Sequence, residues 1–263
     1  MKFKTLLFDI QENVAHITLN RPEAANAINL DLAKDLVSAV MKCDEDPLIR
    51  AVLITGAGPM FCAGGDVKSF AGKGGEELPY FLKEITVYLH VAMSYIVRMD
   101  PPVIAAVHGS AAGAGMSLAC ACDMTLAAES ARFTMAYTRL GLTPDGGATY
   151  TLTRLVGVKR TLELVLTNRL LTAEEASQWG IVTRVLPEDD LIKEATALAG
   201  RLAAGPTMAF GSTKRLLQSG LTESFEGQMK NESHSISQLA RTADGGEGIK
   251  AFVEKRKPEF IGK

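Results

Sequence analysis

Val103-Ile104-Ala105-Ala106-Val107-His108-Gly109-Ser110-Ala111-Ala112-Gly113-Ala114-Gly115-Met116 is the stretch whose reading decides the fold. Its five apolar residues follow Pro101-Pro102 and precede His108-Gly109, and so short a bounded run reads as a strand buried on both faces. Gly109 to Gly115 holds only Gly, Ala and Ser, a tight small-residue turn, and Met116 to Cys122 reads as an apolar helix. Strand, tight turn and helix in succession point to a layered α/β protein. The turn also has a chemical reading. Small residues at a helix start leave N–H donors and the positive end of the helix dipole open to an anion or a developing oxyanion. Close packing of helix on strand explains the same residues equally well. Nucleotide-phosphate motifs are excluded, because the spacing is not GxGxxG and no GK[ST] follows. GxSxG is absent too, so Ser110 is not the nucleophile of a hydrolase elbow.

Outward from this stretch the pattern extends in both directions. On the N-terminal side, Phe3 to Ile10 and Asn13 to Leu19 alternate like paired strands joined by Gln11-Glu12. Asp31 can cap a helix to about Cys43, and Arg50 to Thr55 is a compact strand closed by Gly56-Ala57-Gly58-Pro59. Gly72 to Gly75 is a loop, and Pro79 suits the first turn of a long helix ending near Pro101, apolar on most faces and therefore expected to be buried. On the C-terminal side, Met124 to Ala128 and Arg132 to Ala136 read as short strands. Beyond Gly146, helices dominate (149–156, 159–167, 173–179, 191–204, 207–218, 222–240 and 247–256), interrupted by a strand at Ile181 to Val185. The expected organisation is an α/β core over residues 1–200 and a helical region over 201–263.

Composition narrows the function. The 263 residues are 47% apolar and 22% charged with a formal charge of −2, the balance of a globular protein with a sizeable core and no general attraction to nucleic acid or anionic membrane. The N-terminus shows no apolar leader and no run is long enough to span a bilayer, so a cytoplasmic or other interior location is expected. Cys43, Cys62, Cys120 and Cys122 sit in apolar company and read as buried thiols in a reducing compartment. His16, His90, His108 and His234 are scattered and predict no metal site.

Two further segments carry chemistry-bearing residues. In Phe61-Cys62-Ala63-Gly64-Gly65-Asp66-Val67-Lys68 the paired glycines can turn backbone N–H groups toward a ligand, or Gly-Gly can be a plain turn with Asp66 capping a helix. In Leu140-Gly141-Leu142-Thr143-Pro144-Asp145-Gly146-Gly147 the Pro-Asp-Gly run is an ordinary turn in which Asp145 either caps the next helix or serves as an acid.

Taken in order, these segments resemble the crotonase family, also called the enoyl-CoA hydratase/isomerase family. The resemblance runs from Leu19-Asn20-Arg21-Pro22 and Asn26-Ala27-Ile28-Asn29 through the two glycine segments, Cys122-Asp123 and Leu170-Leu171-Thr172-Ala173-Glu174-Glu175-Ala176. It continues through Trp179-Gly180-Ile181-Val182 to Phe252-Val253-Glu254-Lys255-Arg256. It implies a spiral of ββα units with a C-terminal helical trimerisation region, assembled as a homotrimer or dimer of trimers. The substrate it implies is an acyl-CoA thioester, with no cofactor beyond the coenzyme A that the substrate carries. Two backbone amides, matched here to Gly65 and Ala114, would hold the thioester oxygen, and removing one such donor typically costs ~10²–10³ in rate.

The acid/base residues discriminate within the family. Family hydratases use two glutamates, where this chain has Ser117 and Tyr137. Asp145 matches the aspartate that moves the proton in dienoyl-CoA isomerases and in the ring-oxepin isomerases of phenylacetate breakdown. The string Phe133-Thr134-Met135-Ala136-Tyr137 looks most like the latter. The 4-chlorobenzoyl-CoA dehalogenases carry a histidine base at the position of His90 and a nucleophilic aspartate at that of Asp145, but a tryptophan at that of Tyr137. The readings are therefore isomerase first, with atypical hydratase or Asp145/His90 hydrolysis as alternatives. RNA binding, known for some relatives, is opposed by the near-neutral charge. The resemblance also places Ala25, Ala27, Ala63, Asp66, Lys68 and Tyr137 against the substrate, with Phe252 and Lys255 supplied by a neighbouring subunit.

Overall fold

The computed structural model describes residues 2–263. Strands β1 (Leu6–Gln11) and β2 (Val14–Leu19) form the expected antiparallel pair. They lead through a 3₁₀ turn at Pro22–Ala24 into α1 (Leu30–Glu45), then β3 (Ala51–Gly56), α2 (Val67–Ala71) and α3 (Glu77–Arg98). The opening stretch becomes β4 (Val103–Val107), β5 (Ser110–Ala112) and α4 (Ala114–Ala121), followed by β6 (Met124–Ala128), β7 (Arg132–Thr134) and a 3₁₀ turn at Tyr137–Leu140. The rest is α5 (Ala148–Thr167), β8 (Leu171–Thr172), α6 (Ala173–Gln178), β9 (Arg184–Leu186), α7 (Leu191–Ala203), α8 (Thr207–Ser219), α9 (Phe225–Leu239) and α10 (Ala243–Val253).

The strands lie in two sheets. One has the order β1-β2-β3-β4-β6-β9, parallel from β2 onward, and the other is β5-β7-β8. The period of two along the central strands divides their side chains between two cores. Val52, Ile54, Val103, Ala105 and Val107 join the larger core with α1, α3 and α4. Ala51, Leu53, Ile104 and Ala106 face the other way, onto Leu191, Ala195, Ala199 and Ala203, which recur every fourth residue down α7. No helix among the described residues is long and apolar enough to cross a membrane.

Several local expectations need correction. Asn29, not Asp31, caps α1: its side-chain oxygen accepts the Leu32 N–H at 2.9 Å, while Asp31 sits in the first turn and binds Lys4. The small-residue turn contains a strand of its own, β5, because Ser110–Ala112 pairs in parallel with β7. The two helices expected over 149–167 are one helical run kinked at Gly157, whose φ of 79° breaks the α conformation. The strand after Trp179 lies at Arg184–Leu186, later than the apolar run suggested. α3 is only half-buried: Ile85, Leu89, Ala92, Met93 and Ile96 face the core, while Tyr80 and Val87 are exposed because α1 covers just one side. All four cysteines are free; three are buried and Cys122 is partly so. Burial pushes the Cys62 thiol up to about 12, which keeps it protonated and unreactive.

Candidate active site

Two backbone segments build the centre of the site. Residues 61–65 leave β3, residues 110–114 leave β4, and they run side by side: Cys62 N–H donates to Ser110 O at 3.0 Å and Ala112 N–H to Cys62 O at 2.9 Å. The approach requires glycine. A Cβ on Gly64, whose φ is +100°, would stand 2.8 Å from Ala112 O, and one on Gly115 would stand 2.4 Å from Cys62 O. α4 therefore starts directly against the Cys62 segment, with no side chain capping its first turn. The amides of Gly65 and Ala114 find no acceptor among the described residues, and both residues line the same cavity. Two unpartnered N–H groups, one at the positive end of a helix, form an arrangement suited to a carbonyl oxygen that gains negative charge.

The 25–28 loop buttresses this pair. Ile28 N–H donates to Gly64 O at 2.7 Å and Asp66 N–H to Ile28 O at 3.0 Å. Arg21 forms an ion pair with the buried Asp66 carboxylate at 2.8 Å and also donates to Ala27 O. Fully buried Asn26 donates to Ala57 O and Met60 O and accepts from Arg21 N–H. Asp66 additionally accepts from Ser69 N–H at the start of α2. Its carboxylate is thus committed to holding the loop. Sequence reading assigned no role to Arg21 or Asn26, since a surface-type Arg and a turn-type Asn carry no mark of burial.

The cavity has a volume of about 250 Å³. Its wall is mostly apolar: Val67 and Phe70 from α2, Leu82, Ile85 and Leu89 from α3, and Leu140 and Leu142. Leu82, Ile85 and Leu89 recur at helical spacing, which by itself reads as a core stripe. Asp145 is the only carboxylate among the lining residues. The helix-cap alternative does not describe it, because the N-cap of α5 is Gly147 and no side chain caps the helix. Instead Asp145 Oδ1 accepts the Tyr137 hydroxyl at 2.5 Å, and the Tyr137 oxygen lies 3.1 Å from Ser117 Oγ. Burial first, then the Asp145 charge, push the Tyr137 phenol well above its ordinary value, so it remains a donor. Asp145 Oδ2 has no hydrogen-bond partner among the described residues.

Other expected residues fall elsewhere. His90 does not line the cavity; it is an exposed residue whose Nε2 accepts the Gly146 N–H at 3.1 Å. Ala63 lines the cavity, and Ala25 and Ala27 lie beside it, Ala63 N–H donating to Ala25 O at 3.0 Å. Lys68 is exposed and forms no ion pair among the described residues. Phe252, 85% exposed on α10, and Lys255 just beyond it do not reach this chain's cavity. Among the described residues, no three His, Cys, Asp or Glu side chains gather closely enough to hold a metal ion.

The comparisons with known proteins decide the family. A model of the enoyl-CoA hydratase/isomerase family matches residues 9–263. The chain belongs to the enoyl-CoA hydratase/isomerase family. It is 38% identical to a protein of Rhodobacter capsulatus named "Probable enoyl-CoA hydratase", over the whole of both chains. It is 36% identical to the 1,2-epoxyphenylacetyl-CoA isomerase of Escherichia coli K12, covering 98% of each. The crystal structure of an enoyl-CoA hydratase from Bacillus anthracis superposes with a TM-score of 0.92 at 33% identity, covering 99% of this chain and 100% of that one. The fold is the crotonase fold with its C-terminal helical region, and this member of the enoyl-CoA hydratase/isomerase family is an enzyme.

Proposed function

We propose that this enzyme is an acyl-CoA isomerase that shifts a double bond through a thioester enolate. The observation that carries the reading is the single carboxylate, Asp145, in the wall of an apolar cavity that the Gly65 and Ala114 amides also line. The thioester oxygen accepts hydrogen bonds from those amides. Asp145 Oδ2 takes a proton from C2 of a 3-enoyl ester, and the electron pair spreads through the dienolate onto the held oxygen. The same proton then passes to C4, leaving the double bond between C2 and C3. One base that takes and returns one proton suffices. Tyr137 occupies the other carboxylate oxygen and so orients the base.

Hydration needs a second group to hold and deprotonate water, and the matching positions carry only the hydroxyls of Ser117 and Tyr137. Hydrolysis through Asp145 needs a free base beside it, and His90 Nε2 is already engaged by Gly146 N–H. Ala25, Ala27, Ala63, Asp66 and Lys68 border the nucleotide-bearing end of the substrate, Asp66 by holding its loop. Phe252 and Lys255 act on a neighbouring subunit of a trimer or dimer of trimers, whose interface would cover the exposed Ile236, Phe252 and Val253.

The test is to incubate the enzyme separately with 3-enoyl-, 2-enoyl- and 4-chlorobenzoyl-CoA. Isomer from the first is the expected product; hydrate from the second or chloride from the third as the main product would overturn the reading. Asp145→Asn should lower isomerisation by ~10²–10⁴, and unchanged turnover would reject Asp145 as the acid/base.

A further inference from the structure

The contact between His90 and Gly146 is the only hydrogen bond joining α3 to residues 141–147 among the described residues. An N–H donor pointing at Nε2 requires the lone pair there, which puts the imidazole proton on Nδ1. Nε2 therefore cannot receive a proton from water or substrate without releasing Gly146. Gly146 is a buried residue whose N–H has no other acceptor among the described residues, so losing the His90 contact leaves that N–H without its protein partner. Gly146 is fixed from other sides as well. Its φ is +61°, and a Cβ there would stand 3.1 Å from Ser117 Cβ and 3.4 Å from Met93 Cε. The residue after Asp145 is thus held between α4 and α3. The helix that holds it also supplies Leu82, Ile85, Thr86 and Leu89 to the cavity wall.

We infer that His90 is a positioning residue: it fixes Asp145 through the main-chain N–H of Gly146 and takes no proton in the reaction. This rests on the reading of Asp145 as the acid/base. A base displaced by about 1 Å loses roughly 10²-fold in rate, and the loss falls on kcat because His90 does not touch the substrate. The hydrogen bond needs an acceptor, not a base, which separates the two roles experimentally.

The experiment compares His90→Ala with His90→Gln, whose side-chain oxygen reaches about as far as Nε2 and is no base at neutral pH. His90→Ala is expected to lose roughly 10²-fold in kcat with KM changed only a few-fold, and His90→Gln to retain most of kcat. In ¹⁵N-labelled protein, the Gly146 amide should exchange faster in His90→Ala and stay protected in His90→Gln. Gln as impaired in kcat as Ala, with Gly146 still protected, would mean that the imidazole itself transfers a proton and would overturn the inference. So would an Ala variant with unchanged kcat or unchanged Gly146 protection. If His90→Ala does not fold, His90→Asn, whose acceptor stops about one bond short, replaces it with the same expectations. Activity surviving in Asp145→Asn would sink the Asp145 assignment instead, and the Gly146 exchange would still report whether His90 holds the loop.

Discussion

Gly115→Ala should disable catalysis while leaving the fold standing. In most helices the change is favourable, since alanine exceeds glycine by about 1 kcal/mol in helix propensity. Here the new Cβ would lie 2.4 Å from Cys62 O, 2.7 Å from Cys62 Cβ and 2.9 Å from Cys62 Sγ. Ordinary contact begins a full ångström further out. The Cys62 segment cannot yield on its own, because its N–H and C=O are both bonded to the strand that carries Ala111. The start of α4 must therefore move away from residues 62–65 by about 1 Å, which separates the two amides that share the cavity. Overpacking of this kind costs about 1–3 kcal/mol, which outweighs the propensity gain. A displacement of that size at a reacting centre is worth roughly 10² in rate. Steady-state isomerisation of a 3-enoyl-CoA should thus show kcat reduced at least about 10²-fold. Melting should fall by only a few degrees, at roughly 2–4 °C per kcal/mol for a chain of this size. Gly200→Ala is the control, because nothing lies within 4 Å of its added Cβ on α7. A Gly115→Ala enzyme with native kcat would refute the argument that these segments hold the amides in place.

Further outcomes follow from other contacts. Tyr137→Phe removes the hydroxyl bonded to Asp145 and should lower kcat by about 10–100-fold, the equivalent of a charged hydrogen bond of ~1.5–3 kcal/mol, with little change in melting temperature. Lys214→Met strands Asp123, which Lys214 meets at 2.7 Å in a largely buried pair tying α8 to the core; loss of about 3–5 kcal/mol in denaturant unfolding is expected, with part recovered when Asp123 is also made apolar. The Arg256 hydrogen bonds, and then the Glu259 N–H, lower the Glu247 carboxyl to about 2 from an ordinary 4.5. A depressed carboxyl stabilises the fold above its unfolded value and loses that contribution as pH falls through its folded one. Glu247→Gln should therefore flatten the decline of melting temperature between about pH 4.5 and pH 2, and an unchanged slope would contradict the assignment.

The order of strands and helices was legible in the residues because hydrophobic periodicity is a local property. Val103 to Val107 reads as a strand buried on both faces and becomes β4, and residues 191–204 read as a helix and become α7. Caps and short strands were less legible. Asn29 and Asp31 are both good capping residues, and the choice between them depended on where the chain enters α1. β5 and β8, three and two residues long, exist only because partners from distant sequence bond to them.

The sequence by itself determined the family, the two glycine-rich bends and the substitution of hydroxyls for the paired glutamates, since each is a matter of residue type and order. Tertiary structure alone decided what the polar side chains do. Asp66 became a buried partner of Arg21, Asp145 turned from the helix end to meet Tyr137, and His90 bonded the main-chain N–H of Gly146. The physical reason is that a hydrogen bond or ion pair is set by the distance in space between groups that lie 8, 45 and 56 residues apart in the chain. Local pattern carries no information about that distance until the two cores have closed.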